Sequence, residues 1–527
     1  MADPEVPDTM RDKKTPASVR IRWEARKPED DPTVGVPLKL PDAAAPAPAH
    51  RLVAIGDSLT HGFQSGAIYN TALSYPAIIA WEMGWSDHFR YPRYGGPGGL
   101  PINIEYVVRR LEDRYGAKID WYELASAAFS VRSIMDDIED YWETGRGSRP
   151  PISTGINHNL GIYGWDVRDV LERTSGICAD SIGTPKDNTL DQLVEDANDR
   201  AALRVLPPRE DERGMTPLDA ARKLGDDGGI ETLIVMLGAN NALGTVVKLK
   251  VEWSKDPAYR NLKDKRAFTV WDPDHFAAEL KELVKAVETI KARHVIWATV
   301  PHVTIAPVAR GVARKVREGS RYYPYYTRPW INDEDFDPAD DPRITGQEAR
   351  AIDAAIDQYN DAIVAAVKDM RSRQQDPRDW FVLDVAGVLD RLAARRYILD
   401  PLAQPKWWRP YELPASLARL RPKPDSRFFR SDPDGRKAGG LFSLDGVHPT
   451  TIAYGVLAQE FINVMQRAGV PFRYGDGKTP RIGPVAVDFD RLVALDTLVS
   501  DPPRSLASDL KLIGWLDEKI DFFKRMF

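Results

Sequence analysis

Cys178 is the sole cysteine in 527 residues, so no intrachain disulfide can form and the fold must be held by its core. Its expected role is that of a structural thiol. No stretch approaches the roughly 20 apolar residues that a membrane-spanning helix needs. The polar start, Met1 to Lys14, also has no apolar core of signal-peptide length. The expectation is a cytoplasmic protein without a transmembrane segment. Basic residues are not in excess: 72 Lys and Arg stand against 78 Asp and Glu, for a net charge of −6. That argues against a general nucleic-acid binder, which needs a concentrated basic surface. Metal signals are missing as well. The HExxH and HxxEH spacings are absent, and the acidic run Asp333-Glu334-Asp335-Phe336-Asp337 lacks the glycine and terminal glutamate of a calcium loop. The glycines of Tyr94-Gly95-Gly96-Pro97-Gly98-Gly99 have no following Lys and Ser or Thr, so they do not read as a phosphate cradle. No cofactor is expected.

What is present suits a globular protein with a large core: 43% of residues are apolar and 28% charged. Residues 1–50 read as an N-terminal arm followed by a Pro and Ala-rich linker, with the alternating run Val19-Arg20-Ile21-Arg22-Trp23 expected as an edge strand. Residues 51–480 read as one elaborated domain. Residues 481–527 read as a helical tail, where Ile513, Leu516, Ile520, Phe523 and Phe527 form one apolar stripe. The arm and the tail are the candidate self-association elements.

From Arg51 onward, strand and helix patterns alternate, which predicts an α/β fold with a mostly parallel sheet covered on both faces, a three-layer sandwich. Strands are expected at Leu52 to Ile55, before Gly161, at Thr232 to Leu237, at His294 to Val300 and at Trp380 to Val385. Helices are expected at Leu73 to Met83, Ile102 to Tyr115, Ser130 to Trp142, His275 to Ala292, Gln347 to Met370 and Thr450 to Arg467. Insertions interrupt this core at Tyr91 to Pro101, Thr184 to Gly229, Trp253 to Trp271, Arg321 to Pro342 and Tyr397 to Gly440. Two carry aromatic clusters, Tyr322 to Trp330 and Trp407 to Tyr411, which either wall a pocket or close satellite cores.

The chemistry lies in four segments. Val53-Ala54-Ile55-Gly56-Asp57-Ser58-Leu59-Thr60 is a short apolar strand that ends in a turn holding Ser58. Far downstream, Asp445-Gly446-Val447-His448-Pro449 offers a base with an acid three residues before it. A serine hydroxyl attacks only when a base takes its proton, and the base works best when a carboxylate fixes its tautomer. Acyl transfer also needs donors aimed at the developing oxyanion. Asn159-Leu160-Gly161-Ile162-Tyr163-Gly164-Trp165 supplies a glycine amide free of Cβ obstruction. Ile234-Val235-Met236-Leu237-Gly238-Ala239-Asn240-Asn241 delivers a side-chain amide at the end of a buried strand.

With these four blocks in this order, the chain resembles the SGNH hydrolases, the GDSL esterase and lipase family. The resemblance runs from Leu52 to Thr450 as islands. It implies a flavodoxin-like SGNH core and assigns roles: Ser58 as nucleophile, His448 as base, Asp445 as its orienter, and an oxyanion hole made by Ser58, Gly164 and Asn240. It implies a small-molecule ester, lipid or acylated carbohydrate as substrate. Three departures stand out. Extra structure lies between Ser58 and Gly164, Asn241 replaces the acid that usually ends the third block, and Glu123 to Val131 rivals the glycine block without holding a glycine.

The expected activity is carboxylic ester hydrolysis through an acyl-enzyme. The alternatives are deacetylation of a carbohydrate, release of a thioester-bound acyl group, or a non-catalytic binding or assembly protein on a hydrolase scaffold. Asp57 is expected as a local hydrogen-bond anchor, and His61 is expected to line the mouth of the site.

Overall fold

The computed structural model describes residues 11–38, 47–120, 122–150, 155–185, 193–206, 210–373 and 378–504, with Leu506 and Gly514. Five strands build the main sheet: β1 (His50–Gly56), β2 (Asn159–Gly161), β3 (Ile230–Met236), β4 (Ala292–Ala298) and β5 (Asp379–Leu383). All pair in parallel, in the order β5-β4-β3-β1-β2. Around them lie α1 (Ser58–His61), α2 (Tyr75–Glu82), α3 (Pro217–Asp226), α4 (Asn240–Val247), α5 (Pro273–Glu288), α6 (Gly346–Ser372), α7 (Val385–Leu392) and α8 (Thr451–Arg467).

The strands are apolar on both faces because both faces are covered. Val53, Ile55, Leu233, Val235, Val295 and Trp297 join one core with residues of α3, α5 and α6. Their neighbours Leu52, Ala54, Ile234, Met236, Ile296 and Ala298 join a second core with residues of α2 and α8. This period-2 division of each strand between two helical layers is what the alternating strand and helix patterns require. Helix starts follow capping chemistry. Thr345 and Glu348 form a reciprocal capping box at α6, and Thr216 and Asp219 form one at α3, where Pro217 takes the first position.

Several expectations need correction. Residues 19–23 form no strand. The arm instead runs along β5 and α6: the Pro32 carbonyl accepts from the Val382 amide at 3.0 Å, Ser18 Oγ donates to Asp272 at 2.6 Å, and Arg26 pairs with Asp384 at 2.8 Å. It thereby covers part of the outer edge of β5, an edge that would otherwise be free to pair. The segment Thr184 to Gly229 is not wholly an insertion, because α3 within it packs on β1 and β2. The aromatic and Pro-rich insertions form small sheets of their own, Arg310–Gly311 with Tyr325–Thr327 and Ile344–Thr345, and Arg430–Asp432 with Gly435–Ala438. Beyond α8, Phe489 and Leu492 pack against Gly455. The apolar stripe from Ile513 to Phe527 lies outside the described residues. Among the described residues no helix is long and apolar enough to cross a membrane.

Candidate active site

The site begins where β1 runs into α1. Asp57 caps the helix by accepting from the Leu59 amide at 3.0 Å, the anchoring role expected of it. Ser58 is the first helical residue and is 5% exposed. Burial pushes the Asp57 carboxyl up to about 6, against the lowering pull of the Leu59 amide and of His448. The short helix is tightly bedded. A Cβ at Gly56 would collide with Thr60 Oγ1, and one at Gly161 would meet the His61 backbone nitrogen at 2.6 Å. Asn159 Nδ2 also donates to the Thr60 carbonyl at 2.8 Å, tying α1 to β2.

Asp445 and His448 arrive on a turn that precedes α8. His448 Nε2 stands 2.8 Å from Ser58 Oγ, and His448 Nδ1 stands 3.0 Å from Asp445 Oδ2. The second carboxylate oxygen accepts from the amides of Val447 and His448, each at 2.8 Å, while the Gly66 amide donates to Oδ2 at 2.9 Å. Burial alone would raise the Asp445 carboxyl, but the neighbouring imidazole and these donors outweigh it and hold the pKa below the usual range. With Nδ1–H donating to the carboxylate, Nε2 is left as the acceptor for the serine proton. Phe63, fully buried, packs against the His448 ring with centroids 4.4 Å apart and fixes its tilt.

Gly164 and Asn240 stand beyond the carboxyl ends of β2 and β3, the strands that flank β1. Gly164 has φ +74°, a left-handed conformation that favours glycine. Asn240 opens α4, and its Nδ2 donates to the Trp165 carbonyl at 2.8 Å, joining the two segments. Among the described residues neither the Ser58 amide nor the Gly164 amide donates to a protein acceptor. Asn241, in the place of the usual acid, is buried and accepts from the Val167 amide at 3.4 Å. Next to Trp165, Lys265 Nζ bridges Asp166 at 2.6 Å and Asp169 at 2.7 Å, a buried cluster that anchors the start of the following helix. The rival segment from Glu123 falls in the helix Leu124–Glu143, where Ser130 contacts Tyr115 at 2.8 Å.

His61 does not line the mouth. It is fully buried, its Nδ1 accepts from the Tyr163 amide at 3.2 Å and its Nε2 faces Tyr94 Oη at 2.7 Å. Burial pulls its pKa down to about 3, so it is a neutral ring that holds the backbone just before Gly164.

Beside Ser58 and His448 opens a recess of about 130 Å³. Its walls come from β3, α4, α7, α8 and the segments 301–306 and 441–449, with Met236, Leu243, Val388, Leu389, Phe442 and Val456 among them. Neither aromatic cluster contributes to it. Tyr322, which donates to Asp353 at 3.0 Å, is buried with Tyr326 in the main core, whereas Trp408, whose Nε1 donates to the Asp390 carbonyl at 2.9 Å, packs on a small satellite core of Ala393, Tyr397 and Ala403. His302, in the recess wall, lies between Asp357 at 3.0 Å and Asp390 at 3.3 Å. Burial would lower its pKa, yet these carboxylates and Asp353 push it up to about 10.

Sequence reasoning missed Phe63, the Gly66 amide and the positioning role of His61. A phenylalanine beside a distant histidine leaves no local pattern, and a backbone donor leaves none at all. Among the described residues no group of three or more His, Cys, Asp or Glu is arranged to hold a metal ion. Comparison with protein-family models gives no match, and comparison with curated proteins gives none either.

Proposed function

We propose that this protein is a serine hydrolase that cleaves carboxylic esters through a covalent acyl-enzyme, as its resemblance to the GDSL esterases and lipases implies. One observation carries the reading: a buried serine Oγ lies 2.8 Å from an imidazole nitrogen whose other nitrogen lies 3.0 Å from a carboxylate held by three backbone amides. In this reading Ser58 Oγ bonds to the ester carbonyl carbon while its proton passes to His448 Nε2. The C–O bond to the alcohol then breaks, and the imidazolium returns that proton to the leaving oxygen. Water, deprotonated by the same nitrogen, then bonds to the acyl carbon, the C–Oγ bond breaks to release the acid, and the imidazolium returns the proton to Ser58 Oγ. Asp445 keeps the ring in the productive tautomer throughout. The amides of Ser58 and Gly164 and the side chain of Asn240 take the oxyanion.

The test is covalent labelling with a fluorophosphonate, followed by mass spectrometry, beside hydrolysis of an activated aryl ester. The wild type should carry one label on Ser58 and turn over the ester, and Ser58→Ala should do neither. A wild type inert to both reagents, or a Ser58→Ala variant with full turnover, would sink the proposal.

A further inference from the structure

Resting on that reading, we propose that the recess beside Ser58 holds the acyl chain of the substrate, and that this chain is apolar and about six carbons long. The wall fixes the chemistry. Besides Ser58 and His448 its polar side chains are His302 and Ser426, and both are already engaged. His302 uses both ring nitrogens on Asp357 and Asp390. Ser426 Oγ donates to the Leu392 carbonyl at 2.8 Å and accepts from the Ala394 amide at 2.8 Å. A hydroxyl, amide or charge placed there would find no partner, and an unpaired buried polar group is costly.

That asymmetry decides which half of the ester enters. The alcohol departs with a hydroxyl, and water must then reach His448, so both belong outside this apolar recess. The acyl group is held on Oγ from the end of the first step until water displaces it in the second, and its chain carries no hydroxyl. Size sets its length. At about 130 Å³ the recess falls just short of the ~150 Å³ apolar cavity that admits a benzene ring, a ligand of six carbons. An acetyl group would leave most of this space empty, and water gains little there for want of partners. Chains well beyond six carbons must extend past the walls.

The experiment is a series of aryl esters from acetyl to decanoyl with a constant alcohol, a matched series varying the alcohol on a constant acyl group, and the Val388→Trp variant. Each methylene added up to about hexanoyl should raise kcat/KM roughly fourfold, the equivalent of ~0.8 kcal/mol per buried CH₂. The gain should stop beyond that length. Val388 lies half-buried on α7 in the recess wall, and its replacement by Trp should lower the hexanoyl-to-acetyl ratio at least tenfold. A flat acyl profile, or one best at acetyl, in protein that labels at Ser58 overturns the acyl assignment and leaves the nucleophile standing. The acyl assignment falls equally if the fourfold steps arise in the alcohol series instead. Failure of labelling together with hydrolysis removes the nucleophile and this inference with it.

Discussion

At the scale of single residues, the geometry around Ser58 depends on groups outside the Ser58, His448 and Asp445 contacts. His61 is the clearest case, a buried neutral imidazole whose Nδ1 holds the Tyr163 amide one residue before Gly164. Removing that acceptor frees the loop carrying a candidate oxyanion donor, and misplacement by about 1 Å can cost on the order of 10²-fold in rate. His61→Ala should therefore lower kcat by 10- to 10²-fold in order of magnitude while KM stays near its wild-type value. His61→Asn, which keeps a short acceptor, should recover part of the loss. Equal falls in both variants, or a loss seen only in KM, would deny His61 this positioning role. The identities of Ser58, Asp445 and His448 were legible because a short loop spacing and a strand-end turn leave marks in sequence. The packing of Phe63 on His448 and the bedding of His61 were not, since both arise from contacts made only after folding.

At the scale of elements, α1 is a single turn of helix wedged between β1 and β2, with glycines where any side chain would collide. Gly161→Ala adds one methyl 2.6 Å from the His61 backbone, and crowding of this kind costs about 1–3 kcal/mol. The variant should melt at a lower temperature and label more slowly with fluorophosphonate, because any shift of α1 carries Ser58 with it. An unchanged melting point and labelling rate would show that the bed is looser than the contact implies. Long, periodic helices such as α5, α6 and α8 were legible to within a few residues. α3 was hidden in a stretch read as an insertion, because its helical pattern follows a polar, charged loop. The run Val19 to Trp23 alternates like a strand, yet the arm gives its main-chain bond to β5 through Pro32, and no local pattern anticipates that pairing.

At the scale of the whole molecule, the segment after α8 returns to support the site. The Asp496 carboxyl accepts from the Ile452 amide at 2.9 Å, at the start of the helix that follows His448. Burial, with Glu105 nearby, pushes Asp496 up to about 7, against an unfolded value near 3.9. Above pH ~4 the unfolded chain releases this proton while the folded chain keeps it, so folding stability from this group is full at low pH and is lost as pH rises through about 7. Asp496→Asn preserves the acceptor without the proton equilibrium. The melting-temperature difference, variant minus wild type, should therefore grow between pH 4 and pH 8. A difference that stays constant across that interval would remove Asp496 from the account. Of the global organisation, the parallel sheet and its two helical layers were readable from alternation, whereas the recess was not, since its wall is assembled from six separate stretches of chain.

The hydroxyl and the imidazole that meet at Ser58 are separated by 390 positions in the chain. At a synthesis rate of roughly 5–20 residues per second, the serine is added to the chain some 20–80 s before its histidine exists. On the proposed function, a nascent or prematurely terminated polypeptide carries an unactivated alcohol, and reactivity switches on only when the stretch bearing His448 has been made and has docked.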